Sequence, residues 1–354
     1  MKAKQRISNM ELLRIIAMMM IISLHQNGAV DALASLKPGG TNYYLSHIAE
    51  SFSICAVNCY VLISGYFMIG KREAPVKKCL HLLVDVAFWG LLGYGCAFLL
   101  WGETAGIKEI VVAILPYIKG QRWFVRDYII LVLLAPFLNV CLNRLSKYQY
   151  RILVALLLLI FSVWPSFFPN PPIDDYGFSC VHFIHLYVLA GYLKLHMCQV
   201  PKKIVCVACY LGSVILIYGS ALQGVGYAYA YNYLFVMTAS VSMFLFFRGL
   251  PIQSTVINVL AAGVFDVFMI HTTGFFADLV YIKIFHADTA LQGDGIPYLV
   301  GLISCPLVFY LFSIVLATVK RGLFRVSMDK WLERLHIENY SVDRFGEGEC
   351  IEYH

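Results

Sequence analysis

"MELLRIIAMMMIISLHQN", residues 10–27, reads as a membrane-crossing helix that carries two polar side chains in the wrong solvent. Arg14 opens the apolar run and His25 lies within it. They are eleven positions apart. At 100° and 1.5 Å per residue that is three turns plus about 20°, so both side chains share one helix face about 16 Å apart along the axis. Glu11, three residues before Arg14, lies on nearly the same face. The stripe therefore runs from the membrane boundary to about mid-membrane, and Met18, Met19 and Met20 fill the remaining faces as flexible packing.

The rest of the chain supplies the membrane context. Of 354 residues, 60% are hydrophobic and 14% charged, against about 25% charged in a soluble globular domain. The mean hydropathy is +0.73. The apolar residues recur in blocks of about 18–22, the length that spans the hydrocarbon layer as a helix. Ten such blocks are legible: 11–30, 47–69, 80–101, 123–141, 151–168, 181–195, 204–221, 229–247, 256–285 and 297–319. The expected fold is all-α, a polytopic membrane helical bundle of about ten transmembrane helices. The ninth block exceeds what one crossing needs, which places part of it outside the membrane. No small-residue cleavage pattern follows the first run, so it reads as a retained helix, not a signal peptide. Most of the eleven cysteines sit inside apolar blocks, where a thiol behaves as a small hydrophobe. Cys206 and Cys209 form an isolated C-x-x-C with no second pair at metal-ligand spacing, so no metal site is expected.

Lys and Arg set the orientation. Alternate breaks carry Lys2, Lys4 and Arg6; Lys71, Arg72, Lys77 and Lys78; Arg144, Lys147 and Arg151; Lys194, Lys202 and Lys203; Arg248; and, after the last block, Lys320, Arg321, Arg325, Lys330, Arg334 and Arg344. These hold 20 of the 27 basic residues, and the intervening breaks are rich in Asp and Glu. Both termini are expected in the cytoplasm. The net charge of +6 is then a topology signal, and no nucleic-acid partner is implied. Two outer breaks stand out. "FFPNPPIDDYGF" (167–178) reads as an ordered, Pro-rich acidic loop. "GIKEIVVAILPYIKGQRWF" (106–124) is amphipathic and either lies along the outer interface or dips back into the protein.

Ionisable residues at membrane depth usually face the protein interior and are functional candidates. Here they are Glu11, Arg14, His25, Asp85, Arg126, Asp127, His182, His185, Asp266, His271 and Asp278. Each has a plainer reading. Glu11 with Arg14 makes an interfacial ion pair worth little. His182 and His185 read as hydrogen-bonded structural groups, and Arg126 with Asp127 as a buried pair. For His25 the face shared with Arg14 favours function, because a neutral imidazole in a polar seam accepts a proton near pH 7 as a general base must.

These residues also resemble a known family. "MELLRIIAMMMIISLH" (10–25), with Glu11, Arg14 and His25, is similar to the opening helix of the acyltransferase family 3 membrane proteins. "YVLISGYFMIGKR" (60–72) resembles their second helix with its Ser-Gly-Tyr turn. "QRWFVRDYIILVLLAPFLN" (121–139), "HLYVLAGYLK" (185–194) and "FDVFMIH" (265–271) resemble three further blocks in the same order. Asp266 departs from the pattern, which more often has a small residue there. No appended hydrolase-like domain is present, which suggests a stand-alone member. The resemblance implies a transmembrane domain over residues 1–335 and a flexible cytoplasmic tail over 336–354.

It also implies an O-acyltransferase of a bacterial inner membrane that holds no bound cofactor. The acyl group, acetyl by default, would pass from cytoplasmic acyl-CoA to a hydroxyl of an envelope polysaccharide or lipid-linked sugar. In that scheme His25 is the catalytic base, with Arg14 and Glu11 completing the catalytic set. Arg14, Lys71, Arg72, Lys77 and Lys78 meet the phosphates of CoA. Arg122, Trp123, Arg126, Tyr128 and His271 meet the acceptor. For the lysines and Arg72, cytoplasmic topology alone also accounts for the charge. A covalent acyl-His or acyl-Ser64 intermediate is compatible but not demanded. Two other functions fit the same spans: a transporter or flippase of a sugar-containing or small polar solute, and a membrane sensor or scaffold with a structural His25. Against the transporter, the hydropathy shows no inverted repeat.

Overall fold

In a computed structural model, residues 7–103, 106–115, 122–168, 170–334 and 339–342 are described. They form helices almost throughout, as expected where no water is available to pair a non-helical backbone. Among the described residues, seven helices are long and apolar enough to cross a membrane: Ser8–Ala29, Thr41–Met68, Val76–Trp101, Trp123–Leu142, Lys147–Phe167, Lys203–Leu222 and Gly295–Phe324. An eighth crossing is possible for the pair Thr255–His271 and Gly274–Ile284, which is bent by 96°. Cys180–Leu195 and Leu234–Arg248 are apolar but shorter.

The long ninth block is thus a helix broken into two segments. The break falls at Thr272 and Thr273, whose hydroxyls turn back onto the carbonyls of Phe268 and Met269, both at 2.7 Å. These bonds supply local partners for backbone groups near the bend. The second helix also differs from its expected form. It begins at Thr41, and "Ser-Gly-Tyr" at 64–66 lies inside the helical segment Ala56–Met68 instead of making a turn. Gly65 has a packing reason: a Cβ there would stand 2.9 Å from the Ala190 side chain, so glycine lets this helix press against Cys180–Leu195.

The two ends of the bundle sort the interhelical breaks. At one end Ser254 N donates to Ser8 Oγ (3.0 Å), Asn9 Nδ2 to Leu250 O (3.0 Å), Arg248 Nη1 to Leu193 O (2.8 Å) and Lys194 Nζ to Ile69 O (3.1 Å). The basic loop after the second helix joins them. Its residues Glu73–Ala74 pair antiparallel with Tyr340–Ser341, and the Tyr340 hydroxyl donates to Leu133 O. That pairing orders residues 340–341 of the segment expected as a flexible tail; residues 335–338 and 343–354 lie outside those described. At the other end Asn42 Nδ2 reaches Leu291 O and Gly293 O, each at 2.9 Å. There residues 170–178 of the Pro-rich loop are held by Tyr231 N to Tyr176 O (2.9 Å) and turn through Gly177 N to Asp175 Oδ1 (2.8 Å); Pro169 lies outside the described residues. In the stretch 106–124 the helix Ile107–Ile114 has no buried residue, and it packs on Val76–Trp101 through Ala113, whose carbonyl a Cβ at Gly90 would strike. Residues 116–121 of that stretch fall outside the described part.

One polar cluster inside the bundle is structural. Lys320, grouped from the sequence with the basic residues after the last block, is buried and donates at 2.6 Å to both Asp85 Oδ1 and Asp266 Oδ1. Trp89 Nε1 adds a bond to Asp266 Oδ1 at 2.8 Å. The departure at Asp266 therefore has a role: it ties the helix carrying His271 to Val76–Trp101 and to the last helix. A buried cation with two carboxylates tolerates desolvation only because each group finds a charged partner.

Candidate active site

A cavity of about 1220 Å³ runs through the bundle. Arg14 and Lys78 line it near one end, where their helices begin, and Ala29, Ala97 and Glu103 line it near the other. Between them the first helix contributes His25 and the broken pair contributes His271, held at the end of Val264–His271 just before the bend.

The two imidazoles meet. His25 Nδ1 lies 2.9 Å from His271 Nε2, and His271 Nδ1 lies 2.8 Å from Val267 O. A carbonyl only accepts, so His271 must carry its proton on Nδ1. Its neutral ring then has a bare Nε2, which accepts from His25 Nδ1–H. By the same logic the neutral His25 ring leaves Nε2 without a proton. His25 is exposed to the cavity, so that lone pair is available to a molecule inside it. A chain of two hydrogen bonds thus fixes the tautomer and tilt of a basic nitrogen.

Towards the Ser8 end, Arg14 Nη1 donates to the buried Glu11 Oε1 at 2.8 Å, and the Tyr60 hydroxyl donates to the Arg14 carbonyl. Arg14 Cζ sits 5.7 Å from the centre of the Phe67 ring. The guanidinium is held by a carboxylate and a ring, yet its side chain keeps 27% exposure and borders the cavity. Lys78, Ser64 and Tyr128 cluster beside it. Lys71, Arg72 and Lys77 are exposed and do not line the cavity, so of the four basic loop residues only Lys78 is brought to it.

Beyond the histidines the wall turns aromatic. The Trp123 ring lies 4.7 Å from Phe178 and 5.7 Å from Tyr231, and the last two are 4.8 Å apart. Phe178 comes from the ordered Pro-rich loop, which is what its anchoring to Tyr231 positions. Arg122, in a left-handed conformation, donates from Nη2 to Thr273 Oγ1 at 2.7 Å and from Nη1 to Val86 O at 3.2 Å. This places a cation beside His271 at mid-bundle. Arg126, by contrast, is exposed, paired with the buried Asp127 at 2.7 Å, and not part of the cavity wall. His182 is buried against Asn58 Oδ1 at 2.9 Å, and His185 is buried nearby; neither lines the cavity.

The sequence reading passes over Glu50. Its carboxyl borders the cavity and accepts from Asn27 Nδ2 at 3.0 Å. A signal was present, since Glu50 is the one acidic residue in the apolar block 47–69. Its position close to the block's start disguised it as a boundary residue.

No match was found among curated proteins or among solved structures. A family model does match: the acyltransferase family 3 model, described as an acyltransferase domain, aligns with residues 7–320 and so with nearly the whole chain. The matched residues include the first helix with Arg14 and His25, the loop with Lys78 and the broken helix with His271, so the chain belongs to acyltransferase family 3 and is a membrane acyltransferase.

Proposed function

We propose that this acyltransferase moves an acetyl group from cytoplasmic acetyl-CoA to a hydroxyl of an envelope polysaccharide or lipid-linked sugar. In this reading the chain crosses a bacterial inner membrane ten times. The two shorter apolar helices and the bent pair are crossings, and both termini are cytoplasmic. The charge pattern supports that orientation, because the basic breaks gather at the Ser8 end of the bundle.

The observation that carries the reading is the His25–His271 pair, with His25 Nε2 open to a cavity whose one end holds Arg14 and Lys78. The phosphates of CoA dock on Arg14 and Lys78, and the pantetheine arm carries the thioester inward. His25 Nε2 takes the proton of the acceptor hydroxyl as its oxygen attacks the thioester carbonyl. The tetrahedral oxyanion needs a fixed donor, and Arg122, held by Thr273 and Val86 beside the dyad, is the residue placed to serve. Collapse breaks the C–S bond, and the thiolate leaves with the proton that His25 holds. The products are an ester on the sugar and free CoA thiol, and His25 returns neutral. Glu11 keeps Arg14 oriented and takes no part in the chemistry.

The test is transfer of label from acetyl-CoA to envelope glycan by the purified protein, compared with His25→Ala. Label transfer lost in the variant is the expected result; equal transfer in both sinks the mechanism. A transporter would use the same cavity, and the 96° break is the feature that favours it. Solute uptake into liposomes without any acyl transfer would select that reading.

A further inference from the structure

We propose that Glu50 and the aromatic wall of Trp123, Phe178 and Tyr231 form the acceptor subsite, built for a neutral pyranose ring, with Glu50 as its specificity-determining hydroxyl receptor. The proposal rests on the acyl-transfer reading and specifies its substrate class.

Glu50 is held in place from behind. Asn27 Nδ2 donates to Glu50 Oε2 (3.0 Å) and to Ser46 O (3.2 Å), while Asn27 Oδ1 accepts from Tyr298 OH (3.2 Å), which also meets Ser46 Oγ at 2.7 Å. Asn27 and Tyr298 are each 2% exposed, so this support is buried and fully hydrogen-bonded. Asn27 lies on the same helix as His25, two residues further from the Arg14 end. The support engages one carboxyl oxygen from the helix side and leaves the carboxyl bordering the cavity. Beside Glu50 lie Tyr229 and Tyr231. The Tyr229 hydroxyl is itself fixed by His47 Nδ1 at 2.8 Å.

The chemistry of this corner is that of a sugar site. A carboxyl group accepts hydroxyl hydrogen bonds, and vicinal hydroxyls suit its two oxygens. The aromatic faces offer apolar, polarisable surface to the C–H face of a ring. Arg122 also lines this cavity, so a cationic ring meets like charge there and gains nothing over a neutral one. Glu50, the aromatic wall and His25 line one cavity, so a ring bound there shares it with the open His25 Nε2.

The test uses the full chain in lipid nanodiscs, titrated with methyl gluco-, galacto- and mannopyranoside. Tryptophan fluorescence is read against Trp123→Phe, which removes the reporting ring. At least one pyranoside should give a saturable change in the wild type. Glu50→Gln should weaken it about tenfold, because an acceptor oxygen becomes an NH2 donor and leaves a ring hydroxyl unpaired. Binding of acetyl-CoA should not change in that variant. The matching amino sugar should bind no better than the neutral one. The proposal is overturned if no pyranoside saturates, if Glu50→Gln leaves the pyranoside Kd unmoved, or if it weakens acetyl-CoA equally. Acyl transfer measured in parallel separates the two readings. Transfer without pyranoside binding sinks the subsite alone, whereas pyranoside binding without transfer leaves a sugar site but sinks the acyl-transfer reading and the acceptor role with it.

Discussion

His271→Ala tests the dyad most directly. The substitution removes the acceptor 2.9 Å from His25 Nδ1 and leaves the arginines and the aromatic wall in place. Two effects then add. Without a partner for Nδ1–H, the His25 proton is free to sit on Nε2, the tautomer that has no lone pair for the acceptor hydroxyl. One net hydrogen bond is worth about 1 kcal/mol, so this bias alone amounts to about fivefold. The ring also loses its fixed tilt, and a displacement of about 1 Å at a reacting atom costs up to about 10²-fold. The ceiling is the whole contribution of a general base, about 10²–10⁴-fold. A fall in kcat of about 10²-fold is therefore expected, equivalent to about 2.7 kcal/mol, with the KM for acetyl-CoA unchanged because Arg14 and Lys78 are untouched. The assay is steady-state transfer of labelled acetyl in detergent, with a thermal melt of each variant to exclude unfolding. His271→Gln, whose side-chain carbonyl still accepts a hydrogen bond, should recover part of the loss. His25→Ala combined with His271→Ala should be no slower than His25→Ala alone, as for residues acting as one unit. If His271→Ala keeps kcat within about threefold of wild type, or raises the acetyl-CoA KM instead, the tautomer argument is wrong.

Three further expectations follow from placement. Lys78→Ala and Arg14→Ala should each raise the KM for acetyl-CoA, by about tenfold for loss of a charge-assisted phosphate contact, whereas Lys77→Ala should leave it unchanged; equal effects at 77 and 78 would mean that only general loop charge matters. Arg126→Ala should lower thermal stability by about 1 kcal/mol, because the buried Asp127 loses an exposed partner, while acceptor use stays constant; a raised acceptor KM would return Arg126 to the site. Lys320→Met should destabilise strongly, by about 3–5 kcal/mol, since the buried Asp266 and the partly buried Asp85 lose their shared cation. Adding Asp85→Asn and Asp266→Asn should restore most of that loss in denaturation measurements, and a triple variant as unstable as Lys320→Met would show that the cluster matters through packing instead.

Much of this protein is local and so was legible in its sequence. A membrane span is decided by a run of neighbouring apolar residues, and the sorting of Lys and Arg follows from which breaks join successive spans. The register of Arg14 and His25 on one face is fixed by helix geometry alone, because backbone hydrogen bonds within a helix do not depend on the rest of the fold. Even the block 256–285 announced itself as too long for one crossing. What only packing decided lies between distant residues. His25 and His271 are 246 positions apart, and nothing in either helix states that one nitrogen will face the other. Lys320 sat among basic residues that topology explained, until Asp85 and Asp266 arrived from two other helices. The same holds for the loop lysines, which charge alone makes equivalent and which the cavity divides into one that faces it, Lys78, and two that do not, Lys71 and Lys77. Apolar faces of helices are nearly interchangeable in lipid, so hydropathy does not choose neighbours. Close approach at residues such as Gly65, and the few buried polar pairs, do.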